Sequence, residues 1–401
     1  MLGVANRLAC IKPSSTFAIV KKSAELKKLG VDLISLGAGE PDFDTPESIK
    51  QAAIQAIKGG ITKYTAVEGL PALKQAIQAK FKRDNHLDYT LAELMVSSGA
   101  KQVIYNLFMA TLNPGDEVII PAPYWVSYPD MVRLADGVPV LTPCSRRDHF
   151  KLTPERLAQQ ITPKTKWLIL NSPNNPTGAG YSAQELQALA ECLRQYPQVH
   201  ILSDDIYEHI IFDDYQFFTL AQVAEDLKPR IVIVNGVSKA YSMTGWRIGY
   251  GAGPAPLIKA MTLVQSQSTS NPCSISQMAA IEALQGDQSF IQEQALTFQK
   301  KRDGALSILK AISGLECYTP VGAFYLLICC QSLLGRRTPT GQVIQDDHAF
   351  ADYLLNQARV AVVPGSAFGA EGYFRISYAL SLEELESACI RIGQACDQLT
   401  A

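Results

Sequence analysis

Between residues 95 and 251, short apolar runs rich in β-branched residues alternate with amphipathic helical stretches. Strands are expected at 95–97, 117–120, 138–141, 167–171, 199–203, 231–234 and 247–251, and helices at 100–112, 127–135 and 182–196. Ser182 followed by Glu185 reads as a capping box that opens the last of these helices. Strands that are apolar throughout must be covered on both faces. The pattern therefore specifies an α/β fold, a mostly parallel sheet with helices on both sides. Upstream, helices are expected over 17–30, 46–59 and 70–84, with a short strand at 31–36. Downstream, a helix-like stretch over 254–284 is interrupted at Asn271-Pro272. An α+β tail follows, with helices at 287–312 and 346–358 and strands near 316–318, 323–328, 360–363 and 373–378. A final helix is opened by Ser381 with Glu384. This organisation predicts a large domain over 46–285 and a smaller α+β domain built from both ends of the chain, 1–45 and 286–401.

The bulk composition excludes several classes. With 36 basic against 38 acidic residues and a net charge of -2, the chain has no electrostatic footprint for nucleic acid or an anionic membrane. No apolar run is long enough to span a bilayer, and the N-terminus lacks the pattern of a secretory signal, so a cytoplasmic location is expected. The nine cysteines are scattered without C-x-x-C and read as reduced thiols. The histidines, at 86, 149, 200, 209 and 348, show no ligand spacing, so no metal site is expected. The G-x-G pairs at 37–39 and 251–253 do not continue to a third glycine, which rules out the dinucleotide fingerprint.

In open α/β sheets, ligands bind beyond the carboxyl ends of the strands. Four such ends are informative: SSGAKQ at 97–102, NSPNNPTG at 171–178, SDDIYE at 203–208 and NGVSK at 235–239. Gly99, Ala100 and Lys101 form a turn of small residues into a helix, which suits an anion; many strand–helix turns look alike. Asn175 offers an amide, in a loop that could equally be an ordinary turn. Asp204 follows a buried run, where a carboxylate is costly unless paired with a cation such as a ring nitrogen of a ligand. The alternative is that Asp204 and Asp205 cap a following helix. Tyr207 could present its hydroxyl to the same ligand. Lys239 stands just past the run 231–234, where desolvation and a nearby cation, here Arg247, would lower its pKa and free its amine. An arbitrary lysine is more often a solvated surface charge, but these surroundings are apolar and punctuated by glycine. Trp125, next to a strand end, could stack on a flat ring or simply fill the core. Arg375 lies inside an apolar strand and needs an anionic partner.

Taken together, KPSSTFAI, GAGEPDFDTP, TKYT, SSGAKQ, PYWVSYP, NSPNNPTG, SDDIYE, NGVSKAYSMTGWRIGY, QSQSTSNP and FRISYA resemble the class I aminotransferases of fold type I. They are most similar to the bacterial and plastid aspartate/prephenate aminotransferase subgroup. The resemblance implies pyridoxal phosphate (PLP) as cofactor, a large PLP domain, a small mobile domain and a homodimer with shared active sites. It implies that Lys239 carries PLP as a Schiff base and shuttles the substrate α-proton. It implies that Asp204 pairs with the pyridine nitrogen, that Tyr207 and Asn175 hold the phenolic oxygen, and that Trp125 stacks on the ring. Gly99, Ala100, Ser238 and Arg247 would hold the phosphate, beside Lys101, with Tyr64 reaching across from the other subunit. Arg375, the backbone of Gly39 and Asn175 would grip the α-carboxylate.

Two positions depart from the family pattern. Many relatives have a serine where this chain has Gly236, and Ser238 could compensate. The animal-type aspartate enzymes use an arginine from the partner subunit for the distal carboxylate; this chain has Gln265 and Ser266 there. Lys101, helped by Lys12, is expected to take that role. The substrates implied are an amino acid and a 2-oxo acid: L-aspartate with 2-oxoglutarate, giving oxaloacetate and L-glutamate. The alternatives are glutamate/aspartate–prephenate transfer, or aromatic or alanine-type substrates.

Overall fold

The computed structural model describes residues 3–9, 11 and 15–401. Its strands are β1 (Ile34–Ser35), β2 (Leu94–Ser97), β3 (Glu117–Ala122), β4 (Val138–Pro143), β5 (Thr165–Asn171), β6 (His200–Asp204), β7 (Ile231–Gly236), β8 (Gly249–Ala252), β9 (Glu316–Cys317), β10 (Tyr325–Cys329), β11 (Val360–Ala361), β12 (Val363–Pro364) and β13 (Tyr373–Ser377). Seven of them form one sheet in the order β2-β8-β7-β6-β5-β3-β4. Four form an antiparallel sheet, β12-β13-β10-β9, and β1 pairs with β11 in parallel.

The large sheet follows from its side-chain alternation. In β7, Ile231 and Ile233 enter one buried cluster with Ile201, Leu168 and Leu170. Val232 and Val234 enter another with Leu202, Ile169 and Trp167. Successive residues of a strand point to opposite faces, so a run apolar at every position feeds two cores. Fully burying each such side chain stabilises the fold by roughly 1.5–3 kcal/mol. Helices close both faces. The expected capping box is present: the Ser182 side chain accepts from Glu185 N–H, and Glu185 bonds back to Ser182 N–H at 2.8 Å.

The structure corrects several expected elements. The strand expected at 247–251 is β8, Gly249–Ala252, and it runs antiparallel between β2 and β7. All other pairings in the large sheet are parallel. This reversal places the start of β8 at the same rim as the ends of β2 and β7. The stretch over 254–284 is two helices, Ala255–Ser266 and Ser274–Gln285. The helix expected at 346–358 is Asp347–Tyr353 followed by a π turn, Leu354–Ala358. A helix at Pro154–Gln160, capped by the Thr153 side chain, lies where the periodicity predicts none.

We propose that the division into 46–285 and two flanking segments marks two domains. It is supported by the large sheet lying wholly within 94–252 and the antiparallel sheet within 316–377. Among the described residues, no helix is long and apolar enough to cross a membrane.

Candidate active site

The rim where β2, β6 and β7 end and β8 begins collects most of the residues singled out above. Lys239 lies three residues past β7 and is partly buried. Its Nζ donates to the carbonyl of Gly39 at 2.5 Å and sits 5.7 Å from the ring of Phe324 and 6.0 Å from that of Tyr207. Burial pulls its pKa down to about 8; Glu40 opposes this, while Arg247 and Arg375 push the same way. This is no solvated surface charge.

Asp204, the last residue of β6, is buried. Its Oδ2 accepts the hydroxyl of Tyr128 at 2.6 Å, and its Oδ1 accepts Ile206 N–H at 3.4 Å. Burial raises its pKa to about 6, with the Tyr128 hydrogen bond and Lys239 working against the rise. No helix follows Asp204 and Asp205, so neither serves as a helix cap there. Asp205 is held instead by the Ser203 hydroxyl at 2.7 Å. Tyr207 is buried, with its hydroxyl 2.9 Å from that of Tyr325.

Gly99 precedes the helix Ala100–Thr111 with φ 90°, and a Cβ there would collide with the Arg247 guanidinium. The missing side chain thus lets Arg247 lie against the N-terminus of this helix, an arrangement suited to an anion. Arg247 itself has φ 56°, and its Nη1 donates to Thr244 O at 2.9 Å. Ser238 is buried immediately before Lys239. Lys101 stands in the first helical turn with Nζ 4.7 Å from the Trp125 ring centroid. Its side chain is exposed, yet the atoms packed around it and Arg247 both lower its pKa. Trp125 is partly buried and meets Tyr128 edge-on, centroids 5.3 Å apart. Lys101 and Arg247 line a cleft of about 1410 Å³, as do His348 and Ser366.

Arg375, in β13, is 2% exposed. Its Nη1 donates to Asn175 Oδ1 at 3.0 Å and its Nη2 to Gly37 O at 2.9 Å, while its Nε has no partner. The guanidinium lies between the rings of Tyr325 and Phe368, 4.4 and 4.8 Å from their centroids. Burial lowers its pKa, and the groups that oppose this are tyrosines, not carboxylates. A buried cation held only by neutral oxygens is costly, and an anionic ligand would offset that cost. With its oxygen engaged by Arg375, Asn175 keeps its NH₂ donors for a ligand.

One expected residue does not join this cluster, and another cannot be placed in or out of it. Tyr64 is 93% exposed in the single chain. Lys12 lies outside the described residues. Gln265 is fully buried: its amide donates to Val67 O and Val96 O at 2.7 and 2.8 Å and accepts from Ser97 and Asn106. With both ends bonded it braces the core and cannot face a ligand. The sequence reading missed Tyr128 and Tyr325, whose hydroxyls bond Asp204 and Tyr207. Tyr128 was findable, because it lies three residues after Trp125 and shares its turn; Tyr325 gave no such signal.

PLP fits these residues. Asp204 has only neutral hydrogen-bond donors, and a protonated ring nitrogen would supply the missing cation. Arg247 beside the helix N-terminus suits a phosphate, and Lys239 offers an amine of lowered pKa. The comparisons agree. A family model described as "Aminotransferase class I and II" matches residues 31–392. The probable aspartate/prephenate aminotransferase of Rickettsia bellii is 66% identical over 396 residues, 99% of each chain. The aspartate/prephenate aminotransferase of Cereibacter sphaeroides is 55% identical over 400 residues, 100% of each. The crystal structure of the aspartate aminotransferase from Rhizobium meliloti superposes with a TM-score of 0.97 at 53% identity, covering 100% of both chains. That of the Thermus thermophilus aspartate aminotransferase with maleate gives 0.92 at 44% identity, over 98% of this chain and 100% of that one. The chain belongs to the class I and II aminotransferases, and it is a PLP-dependent transaminase of fold type I.

Proposed function

We propose that this transaminase moves the amino group of L-aspartate or L-glutamate to 2-oxo acids, with prephenate among the acceptors as well as oxaloacetate and 2-oxoglutarate. The observation that carries this is the buried Arg375 without a carboxylate partner, with Lys101 as a second cation at the cleft. A ligand with two carboxylates matches two such cations. The names of the relatives support the same reading, and so does the maleate, a dicarboxylate, bound by the Thermus enzyme.

When bound, PLP supplies an electron sink for the substrate α-carbon. This chain's residues do the rest. Asp204 holds a proton on the ring nitrogen of the cofactor. Gly99, Ala100, Ser238 and Arg247 hold its phosphate, Tyr207 and Asn175 its phenolic oxygen, and Trp125 its face. Arg375 and Gly39 orient the α-carboxylate. Lys239 Nζ takes the α-proton, and its lowered pKa frees the amine at a lower pH than an ordinary lysine would allow.

A transamination panel of aspartate, glutamate, prephenate, alanine and phenylalanine tests this function, on the parent enzyme and on Lys101→Ala. Losing a hydrogen bond to a charged group costs about 1.5–3 kcal/mol. Lys101→Ala is therefore expected to lower kcat/KM for aspartate and glutamate by roughly ten- to a hundredfold. Alanine and phenylalanine should change far less. Equal losses across the panel would remove Lys101 from the distal site.

We also propose a homodimer with shared sites, in which Tyr64 bonds the partner's cofactor phosphate. Its support is an apolar stretch laid open in the single chain: Ile54, Ile57 and Ile61 are 38%, 54% and 37% exposed and lead to Tyr64. Tyr64→Phe is expected to weaken PLP binding by about tenfold. Mixing Tyr64→Phe with Lys239→Ala subunits should restore one tight site per hybrid dimer. Unchanged PLP affinity in Tyr64→Phe would refute the sharing.

A further inference from the structure

Two turns carry the reacting groups. Residues 204–208 hold Asp204 and Tyr207, and residues 235–239 lead into Lys239. The turns are bonded to each other through one side chain. Asn235 Nδ2 donates to Glu208 Oε1 at 2.7 Å, while Asn235 Oδ1 accepts the N–H of Gly236 at 2.7 Å. Glu208 is fixed in turn. Its N–H donates to Asp205 O at 3.0 Å, and its other oxygen accepts Asn85 Nδ2 at 2.9 Å. Lys80, on the helix Pro71–Asn85, forms an ion pair with Glu208 and donates to Asn85 Oδ1 at 2.7 Å. Lys80, Asn85, Asn235 and Glu208 are 0%, 2%, 3% and 4% exposed. Asp84 and His209 form the outer side, with His209 Nε2 3.3 Å from Asp84 and 3.4 Å from Glu208.

A buried ion pair is a poor way to gain stability, because desolvating both charges offsets most of their attraction. What this one does provide is a fixed carboxylate at the side chain of Asn235. Backbone bonds tie the turn after Asn235 to β8 and to its own continuation, Val237 N–H to Ile248 O at 3.3 Å and Met243 N–H to Ser238 O at 3.3 Å; the side chain of Asn235 adds the bond to the turn that carries Tyr207. At Gly236 there is no room for a side chain, since a Cβ would lie 2.9 Å from Ile248 O and 3.0 Å from Gly249 Cα. Only Val237 and Ser238 separate that glycine from the lysine.

We propose that Asn235, held by Glu208 and the buried Lys80, is a positioning residue that locks the lysine-bearing turn to the turn carrying Asp204 and Tyr207. It touches neither substrate nor cofactor and acts through the aim of Lys239 Nζ. The proposal rests on the reading that Lys239 is the cofactor-bearing amine.

The test uses the full-length enzyme, freed of PLP and retitrated with it, at a temperature well below each variant's unfolding midpoint. Asn235→Ala is expected to weaken PLP binding about tenfold and to lower kcat about tenfold, with KM for the amino donor within about twofold. The pH midpoint of the visible absorption of the lysine-bound cofactor should also move, which a loss of stability alone would not cause. Should Asn235→Ala fail to fold, Asn235→Ser keeps a hydroxyl for the Gly236 N–H but cannot reach Glu208, and it is read the same way. The pair Lys80→Met with Glu208→Gln keeps an amide oxygen for Asn235 Nδ2 but removes the ion pair that fixes it. It is expected to fall between the parent and Asn235→Ala in PLP affinity and midpoint. Parent values in a folded Asn235→Ala, or in the folded paired variant, would overturn the proposal. Borohydride reduction of the parent followed by peptide mapping separates the two levels. A label away from Lys239 overturns the site reading itself, whereas a label on Lys239 with an unperturbed Asn235→Ala overturns only this inference.

Discussion

Lys239→Ala is expected to lower turnover by about 10⁴-fold or more, since it removes both the covalent anchor and the group that moves the α-proton. The variant should lose the visible absorption of lysine-bound PLP when dialysed against an amino acid, while still folding. The amine also sets a pH dependence. Burial takes its pKa from 10.5 to about 8. Below that value Nζ is protonated and has no lone pair to offer. Capture of PLP by the cofactor-free protein should therefore quicken as pH rises through about 8 and level off above it. Following the growth of the absorption band against pH checks this, and a midpoint near 10.5 would mean that the amine sits in water.

Arg375→Ala should be nearly as severe but different in kind. Breaking a buried charge pair costs about 3–5 kcal/mol, so kcat/KM is expected to fall by roughly 10²- to 10⁴-fold. Every amino acid carries an α-carboxylate, so the loss should be shared by alanine, phenylalanine, aspartate and glutamate alike. This contrasts with the selective effect expected at Lys101. Arg375→Lys should recover only part of the activity, because an ammonium cannot reproduce the planar fork that reaches Asn175 and Gly37 together. Without ligand the guanidinium is a buried charge lacking an anion, so its removal is not expected to unfold the cofactor-free protein. A large drop in its unfolding midpoint, with KM for every amino donor at the parent value, would recast Arg375 as a structural residue.

The strands of the large sheet were legible because a run such as 231–234 is apolar at every position, which is the mark of burial on two faces. The direction of β8 was not. Its sequence, GYGA, says nothing about orientation, which is set by a connection from β7 holding only one short helical turn, Thr244–Trp246. Lys239, Asp204 and Arg375 were readable because a charge beside or within an apolar run is costly unless something pairs with it. Tyr128 and Tyr325 carry the same apolar look as core aromatics, and the aim of a hydroxyl is decided only by packing. Gln265 shows the reverse case. The sequence showed only that Gln265 stands where other enzymes have an arginine, and the backbone carbonyls of Val67 and Val96 reveal it as a brace.

The reversed strand has a consequence for how the enzyme comes into being. Leu94 pairs with Ala252 and Ser97 with Gly249, so the first strand of the large sheet finds its neighbour only when the last has been made. Gly99 and Arg247 meet through that pairing. The other half of the pocket needs Gly37 to reach Arg375, near the far end of the chain. Contacts so distant in sequence form late, because the intervening loops must first be closed. With Gly99 and Arg247 in the proposed role, no early fragment made during synthesis would hold the cofactor, and a partly folded chain would have no grip on the phosphate. Loading with PLP is thus a report on completed folding, and binding only to the native state then deepens its stability by mass action.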